Sequence, residues 1–569
     1  MDLEELKDTE IWQLYEKGLN FMRMINVFSD TDRNYRMYSG NQWEGAKIEG
    51  IEQAQYNFIE TIINYKVSTI NQNLWGINYS SENFENKDFR ATADKTCTML
   101  NKRASKVWEK DQMDYKVRVI SEDGAVNDEG VMYVSYDEDK HDPLNEILSK
   151  NDIQYGNENS SDIQSQPYII ISQRKSVIEI QELARKEGVS EEDIKNIKGD
   201  MNYFEQAGED SKYEKDDKCT LITKMWKEKG NVWFAKSTRY VDVKKSSNSG
   251  LTYYPVAHFL WKEKKGSARG EGEVRYLIPN QLELNKTLAR MLLSVKQNAY
   301  PTKVVNIDKI QNPSAINKIG GIIKTKDGMT VEDVNKIYST IAPAQMSSDV
   351  SKTINDLISI TRELKNSSDI ATGGVNPSDA SGKAILAVQQ ASQQPMVKQL
   401  SGLKMFIEDL ARIWLDMWIT YNYDGLKLEE DITDPQTGEE ITELVDIPSS
   451  VLENLQATVK VDITPKSAFD KYAQEISLEN MFKAGYFNPQ KLGELKIYVS
   501  VLPDDSTMPK QALLKAIEKA EEEQKRIAMI DAQAQEMQQR ASQFINSDVE
   551  GQASQIADAQ NMVEQVPTE

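Results

Sequence analysis

Asn366-Ser-Ser-Asp-Ile-Ala-Thr-Gly-Gly-Val-Asn-Pro-Ser-Asp-Ala-Ser-Gly382 stands between two strongly patterned stretches, and how these three pieces are read decides the fold. Gly373 and Gly374 reach positive φ at no steric cost and Pro377 cannot continue a helix, so the run is a loop. Before it, Val350, Ile354, Leu357, Ile358 and Leu364 recur at mostly three- and four-residue steps, which predicts a single-faced helix from Ser347 onward. After it, Leu400, Leu403, Ile407, Leu410, Trp414, Met417 and Tyr421 keep that rhythm. A straight helix over 383–423 would span roughly 60 Å. Pro395 lacks the amide hydrogen for the ladder and crowds the preceding turn, so a kink or break belongs near Gln393 and Gln394. Taken alone, this is also ordinary bundle architecture.

Upstream, the glycine-rich Gly266-Ser-Ala-Arg-Gly-Glu-Gly272 leads into another helix near Glu273, with Pro279 in its first turns and Pro301 at its end. Its stripe runs Val274, Ile278, Gln281, Asn285, Leu288, Leu292, Val295, so two amides fall in the apolar phase. Buried amides need partners, and neighbouring copies of the same helix could supply them; Gln281 and Asn285 are therefore expected at a subunit interface. Between the two helices, residues 302–307 and Ile319-Gly-Gly-Ile-Ile-Lys324 read as a small strand unit.

Toward the N-terminus, residues 11–28 are amphipathic, and Tyr38, Gly40, Gln42 and Trp43 suit an aromatic-capped turn closing a helix. Helices are expected from Asn57, with Ile59, Ile62, Ile63 and Val67 inward, and over 93–108. Strands are expected at the end of 120–137, at 168–172, 220–226 and 232–235, the last two joined by a turn at Gly230-Asn231, and at 254–261. Residues 145–166 read as a polar surface loop and 176–207 as largely helical. Beyond Tyr423, short strands at 425–428, 443–446 and 457–462 precede helices at 468–484 and 509–540, and the Gln-rich end reads as frayed or disordered. The fold class is helix-rich α+β.

A chain of 569 residues is too long for one core and suggests three or four regions. No apolar run approaches the ~18 to 20 residues of a membrane span, and Met-Asp-Leu-Glu-Glu lacks the features of a signal peptide, so the protein is expected to stay in the cytoplasm where it is made. Cys97 and Cys219 are the only cysteines and read as reduced core thiols. With 68 Lys plus Arg against 90 Asp plus Glu, the net charge is −22, which repels phosphate backbones; DNA would slide past such a surface rather than be held.

The sequence offers nothing for catalysis. A phosphate loop ending at Gly382-Lys383 needs glycine five residues earlier, where Pro377 stands, and Ser or Thr next, where Ala384 stands. His141 and His258, the only histidines, have no His or Cys at ligand spacing, so no metal or cofactor is expected.

The order of parts resembles the portal proteins of tailed bacteriophages over most of residues 10–425. The resemblance rests on Tyr38-x-Gly40-x-Gln42-Trp43, the helix at Asn57, the glycine-rich turn before Pro279-x-Gln281-x-x-x-Asn285, and the succession helix, strand unit, helix, loop, long kinked helix. It implies a homo-oligomeric ring, usually of twelve subunits, around a channel for non-specific double-stranded DNA. Its parts would be a wing (1–272 and 424–466), stem helices (273–298 and 346–365), a clip (299–345), a channel loop (366–382), a long kinked helix (383–423), a crown (467–545) and a tail (546–569). Partners would be the major capsid protein, the terminase large subunit and neck or adaptor proteins, in a virion assembled in the host cytoplasm. Asn366, Ser367, Ser368, Thr372, Gly373, Gly374, Asn376, Ser378, Asp379, Ser381 and Lys383 would face the channel. Lys286 and Arg290, off the apolar stripe, would form a sparse cationic ring or lie on a solvated face with Glu283. The alternatives are another helical virion or scaffold protein, and an enzyme or motor subunit, which the missing phosphate loop disfavours.

Overall fold

The structure is a computed structural model. It describes residues 7–44, 53–81, 87–200, 218–316, 322–326, 338–341, 349–365, 394–422, 424–433, 440–455, 457–465 and 491–501, with single positions and short pieces elsewhere up to Ile527. The chain divides into two compact units, Met1–Thr464 and Pro465–Glu569.

The amphipathic N-terminal run makes two helices, α1 (Glu10–Met24) and α2 (Val27–Tyr38). Thr9 caps the first by accepting from the Trp12 amide at 3.2 Å, and Asn26 separates the two with a left-handed φ of 61°. In α3 (Phe58–Ile70), capped by Asn57, the expected Ile59, Ile62, Ile63 and Val67 are all buried. Strand β1 (Asn73–Ser81) and helices α4 (Lys87–Lys110) and α5 (Met113–Asn127) follow. Asp128, at φ 80°, then breaks the helical path.

The chain next builds two antiparallel sheets. Strands β2 (Glu129–Asp137) and β3 (Asp142–Leu148) open the first; β4 (Ile153–Tyr155) and β5 (Tyr168–Ser176) open the second. Helices α6 (Val177–Lys186) and α7 (Glu191–Ile194) precede β6 (Lys218–Glu228), β7 (Asn231–Ser237) and β8 (Asp242–Asn248), which complete a five-stranded order β4-β5-β6-β7-β8. Strand β9 (Val256–Leu260) returns to give the three-stranded order β3-β2-β9.

Three expectations are corrected here. Residues 145–166 are not a surface loop: Ile153 and Tyr155 are buried ladder residues opposite Ile171 and Ile169. Their polar neighbours serve the backbone of the excursion itself, Gln166 donating to the Asn157 and Ser160 carbonyls and accepting from the Asn157 amide at 2.7 Å. Within 176–207 the described helix is only α6 and the single turn of α7. Gly188, at φ 78°, ends α6, with Val189 N–H bonded to the Ala184 carbonyl and Gly188 N–H to that of Arg185. The β6–β7 turn is Lys229-Gly230, both at positive φ between the paired Glu228 and Asn231, one residue earlier than expected.

Helix α8 (Val274–Ala299) leads to β10 (Thr302–Val305), whose antiparallel partner is β11 (Tyr338–Ile341). The expected partner run at 319–324 contributes no ladder among its described residues; beside it there is one isolated bridge, Ile310 to Thr325. Helix α9 (Asp349–Leu364) follows. Pro395 lies in a 3₁₀ turn, Gln394–Met396, directly before α10 (Val397–Tyr421). This helix is wrapped by the core: besides Leu403, Ile407, Leu410, Trp414 and Met417, the off-stripe Phe406, Ala411, Ile413 and Trp418 are buried. The Trp414 indole donates to Asn145 Oδ1 at 2.9 Å, and the Tyr79 hydroxyl to the Ala411 carbonyl at 2.9 Å.

Strands β12 (Leu426–Thr433) and β13 (Glu440–Ile447) form a hairpin, α11 (Ser449–Glu453) follows, and β14 (Ala457–Pro465) pairs with β1. The second unit contributes α12 (Leu492–Val501). The helices expected at 468–484 and 509–540, short pieces apart, and the tail lie outside the described residues, as do 383–393. Cys97 and Cys219 are buried free thiols, pushed up by burial to about 11 and about 12.

Candidate functional site

Helices α8 and α9 pack against each other, with Asn280 Nδ2 donating to Thr361 Oγ1 at 3.0 Å and the buried Thr361 hydroxyl donating to the Leu357 carbonyl at 2.6 Å. Cover along α8 is uneven. Its fully buried positions end at Ala289, while Val295 is 59% and Tyr300 75% exposed, and Val304 on β10 and Ile341 on β11 are more than half exposed. Helix α8 is thus covered over its first half and bare over its last turns, and on α9 Ile360 and Leu364 are exposed as well.

The covered end is built from charge. Glu273, at the start of α8, places Oε1 at 3.1 Å from Lys66 Nζ on α3 and 2.7 Å from Lys365 Nζ just past α9, while Oε2 accepts from the Trp261 indole at 3.4 Å. Burial disfavours its charge, but Lys66 and Lys365 outweigh that and hold the carboxyl below its ordinary range. A second cluster fixes the turn before α8. The Arg269 guanidinium meets Glu129 Oε1, donates to the Lys150 and Ile153 carbonyls at 3.2 and 2.8 Å, and lies over the Tyr155 ring. His258 Nε2 is 2.8 Å from Glu129 Oε2. Burial alone would raise the Glu129 carboxyl; Arg269, the His258 hydrogen bond and Lys150 together hold it at about 2. Asp128 pairs with Lys150 and accepts from the Gly272 amide at 2.6 Å. The turn passes so close that a Cβ on Gly270 would lie 2.7 Å from the Asp128 carbonyl, and one on Gly272 2.9 Å from that of Ala125.

Gln281 and Asn285, expected at a subunit interface, find hydrogen-bond partners within one chain. Both are buried, and their amides are satisfied within one chain. Gln281 accepts from the Phe58 and Ile59 amides and donates to the Tyr56 carbonyl and Asn285 Oδ1, and Asn285 donates to Gln42 Oε1 at 2.6 Å. Gln42 in turn donates to Asn57 Oδ1 and the Met37 carbonyl. The Tyr38–Trp43 turn, the Asn57 cap and the α8 amides thus form one network across three distant segments.

Lys286 and Arg290 are both exposed on α8, and Arg290 lies 3.8 Å from Glu283, so at least one of the two cations shares its face with a carboxylate. Ser367, expected in the channel, is buried instead: its hydroxyl donates to the Arg362 carbonyl and its own carbonyl accepts from Arg362 Nε. Asn366, Ser368, Thr372, Gly373, Gly374, Asn376, Ser378, Asp379, Ser381 and Lys383 lie outside the described residues. The charged root was missed from sequence. One signal was present in Lys66, which falls in the apolar phase of α3 three and four residues after Ile63 and Ile62.

The sequence model of the phage P22-like portal protein family matches residues 144–566. The chain belongs to that family. It is a portal protein, a virion component of the head-to-tail connector that acts at the capsid vertex in DNA packaging. No curated protein matches it. The family match starts after Gln42 and Asn57, and the amide network is what ties these N-terminal residues of the portal protein to the matched α8. Among the described residues no helix is long and apolar enough to cross a membrane, and no cluster suits a metal ion.

Proposed function

We propose that the portal protein closes into a homo-oligomeric ring, of twelve copies by the resemblance, in which α8 and α9 form the stem around a DNA channel. Residues 299–345 are the clip that meets the terminase large subunit and later the neck or adaptor proteins. Residues 1–272 and 424–466 are the wing, held in the major capsid protein shell, and 467–545 are the crown. The observation that carries this reading is the bare end of α8 with the β10–β11 ladder. Two strands of four residues each are too few to be stable alone, and their exposed Tyr300, Val304 and Ile341 call for cover by another copy. A charge of −22 per copy gives the channel a wall that does not grip phosphate, with Lys286 and Arg290 as sparse exceptions. No catalytic step is assigned to the protein.

Native mass spectrometry is expected to show a single closed oligomer; monomers alone, at high concentration and several salt strengths, would refute the ring. We further assign 366–382, apart from the buried Ser367, to the channel. Its Gly373 and Gly374 are small and lie on neither apolar stripe, so Gly373→Ala with Gly374→Ala is expected to leave rings intact while genome packaging or retention falls. Normal filling, or failure of the rings themselves, would remove the loop from the channel.

A further inference from the structure

A cavity of about 930 Å³ lies in the first unit, walled by β2, the β6–β7–β8 face, α6 and the C-terminal end of α10. Nothing in the ring reading uses it. Strand register shows how it is made. Met225, Phe234 and Ser247 form one cross-strand row and Thr223, Lys236 and Lys244 the next, and all six line the cavity from one sheet face. Opposite them stand Tyr136 and Tyr421, whose rings pack with centroids 4.8 Å apart and planes tilted by 38°.

Two polar groups on this face have no protein partner among the described residues, one of them shut off from solvent and the other reaching it. Ser247 Oγ is shut off from solvent and has no hydrogen-bond partner. Lys236 is only partly exposed, and its ammonium has no hydrogen-bond or ion-pair partner among the described residues. The other cation of its row is already used, since Lys244 Nζ is 2.6 Å from Glu187 Oε1 and lies over the Phe234 ring. Glu138 and His141, also on the lining, belong to the exposed β2–β3 connection rather than to this face. Burial, then Lys175 and Lys244, draw the Lys236 ammonium below its ordinary range, and Glu187 only partly opposes them. The orphaned hydroxyl costs stability that an apolar residue there would not, and the neighbouring ammonium is left free to take an anion.

We propose that this cavity binds an anion carried on an aromatic or aliphatic body. A carboxylate or phosphate monoester would take Lys236 Nζ and, once the serine side chain turns toward the cavity, Ser247 Oγ; both residues line the same face on adjacent strands, across the irregularity in the β7–β8 register. The body would lie between Phe234 and the Tyr136–Tyr421 pair. The volume is that of an ordinary small-molecule site, and a few convergent polar groups in an apolar setting are how such sites select their ligands.

Titration calorimetry on the assembled protein, with phenyl phosphate and phenylacetate as probes and benzyl alcohol as neutral control, tests this. Wild type is expected to bind at least one anion at least tenfold more tightly than the alcohol, and the ratio between the two anions tells phosphate from carboxylate. Lys236→Met should weaken that binding tenfold or more and Ser247→Ala several-fold. Lys236→Met should also leave the thermal midpoint unchanged or higher, which a lysine kept for structure would not do. Equal binding of alcohol and anions, unchanged anion binding in Lys236→Met, or no anion binding at millimolar concentration would overturn the assignment.

Discussion

Glu273→Ala is expected to destabilise the first unit by about 3–5 kcal/mol, the range for breaking a buried ion pair by removing one member. Among the described residues Glu273 is the carboxylate shared by Lys66 and Lys365, so its loss strands an ammonium with a side chain only 7% exposed. Burial already draws the Lys66 ammonium below its ordinary range, and Glu273 is the chief group opposing that shift. Lys365 is more exposed and can turn to water, so the cost falls mainly on Lys66. Trp261, hydrogen-bonded to the same carboxylate, reports the change by fluorescence during urea unfolding. Lys66→Met combined with Glu273→Leu should recover most of the loss, because an apolar pair has no stranded charge. A loss under about 1 kcal/mol in Glu273→Ala would show that the root is not held by this pair. Since α8 and the segment after α9 both end on Glu273, the same variant should loosen the start of the proposed channel loop.

How much of this was legible in the sequence depended on how far apart the partners are. Helices α3, α8, α9 and α10 were legible because each carries its own apolar period, and the β6–β7 hairpin because its strands flank a two-residue turn. The pairing of β10 was not, since its partner β11 lies more than thirty residues on, past a run at 319–324 whose isoleucines imitate a strand. Residues 145–166 misled by composition: their Asn and Gln side chains look solvated but bond the backbone of the excursion, and two apolar ladder residues suffice to anchor it. At the root, periodicity identified Gln281 and Asn285 as buried amides but not their partners. Gln42 and Tyr56 lie more than two hundred residues away, and no local pattern shows that they meet α8. Glu129 and Arg269 were invisible for the same reason, with a separation of 140 residues.

Acid should release the second lock. The Glu129 carboxyl is held at about 2 against an ordinary value of 4.5. A depression of that size is worth about 3 kcal/mol at neutral pH. The sign follows from the folded state binding the proton less tightly than the unfolded chain. The contribution is therefore complete above about 4.5 and is lost as pH falls toward 2. Asp123 and Asp152 act in the opposite sense. Burial raises them to about 7 and about 6, so their contributions are complete below the ordinary aspartate range and are lost as pH rises through those values. The raw stability curve mixes the two effects, and the difference between wild type and Glu129→Gln separates them, because glutamine does not titrate while Asp123 and Asp152 remain. That difference should shrink by about 3 kcal/mol between pH 5 and pH 2. Arg269→Met should cost more than Glu129→Gln at neutral pH, since it leaves a carboxylate with a fully buried side chain facing His258, Lys150 and the Tyr155 hydroxyl without its guanidinium partner, whereas glutamine can still accept from Arg269. Parallel curves for wild type and Glu129→Gln across that pH range would mean that the carboxylate does not hold the turn before α8. The anchoring of the helix pair would then rest on Glu273, the Asp128–Lys150 pair and the Gln281–Asn285 network.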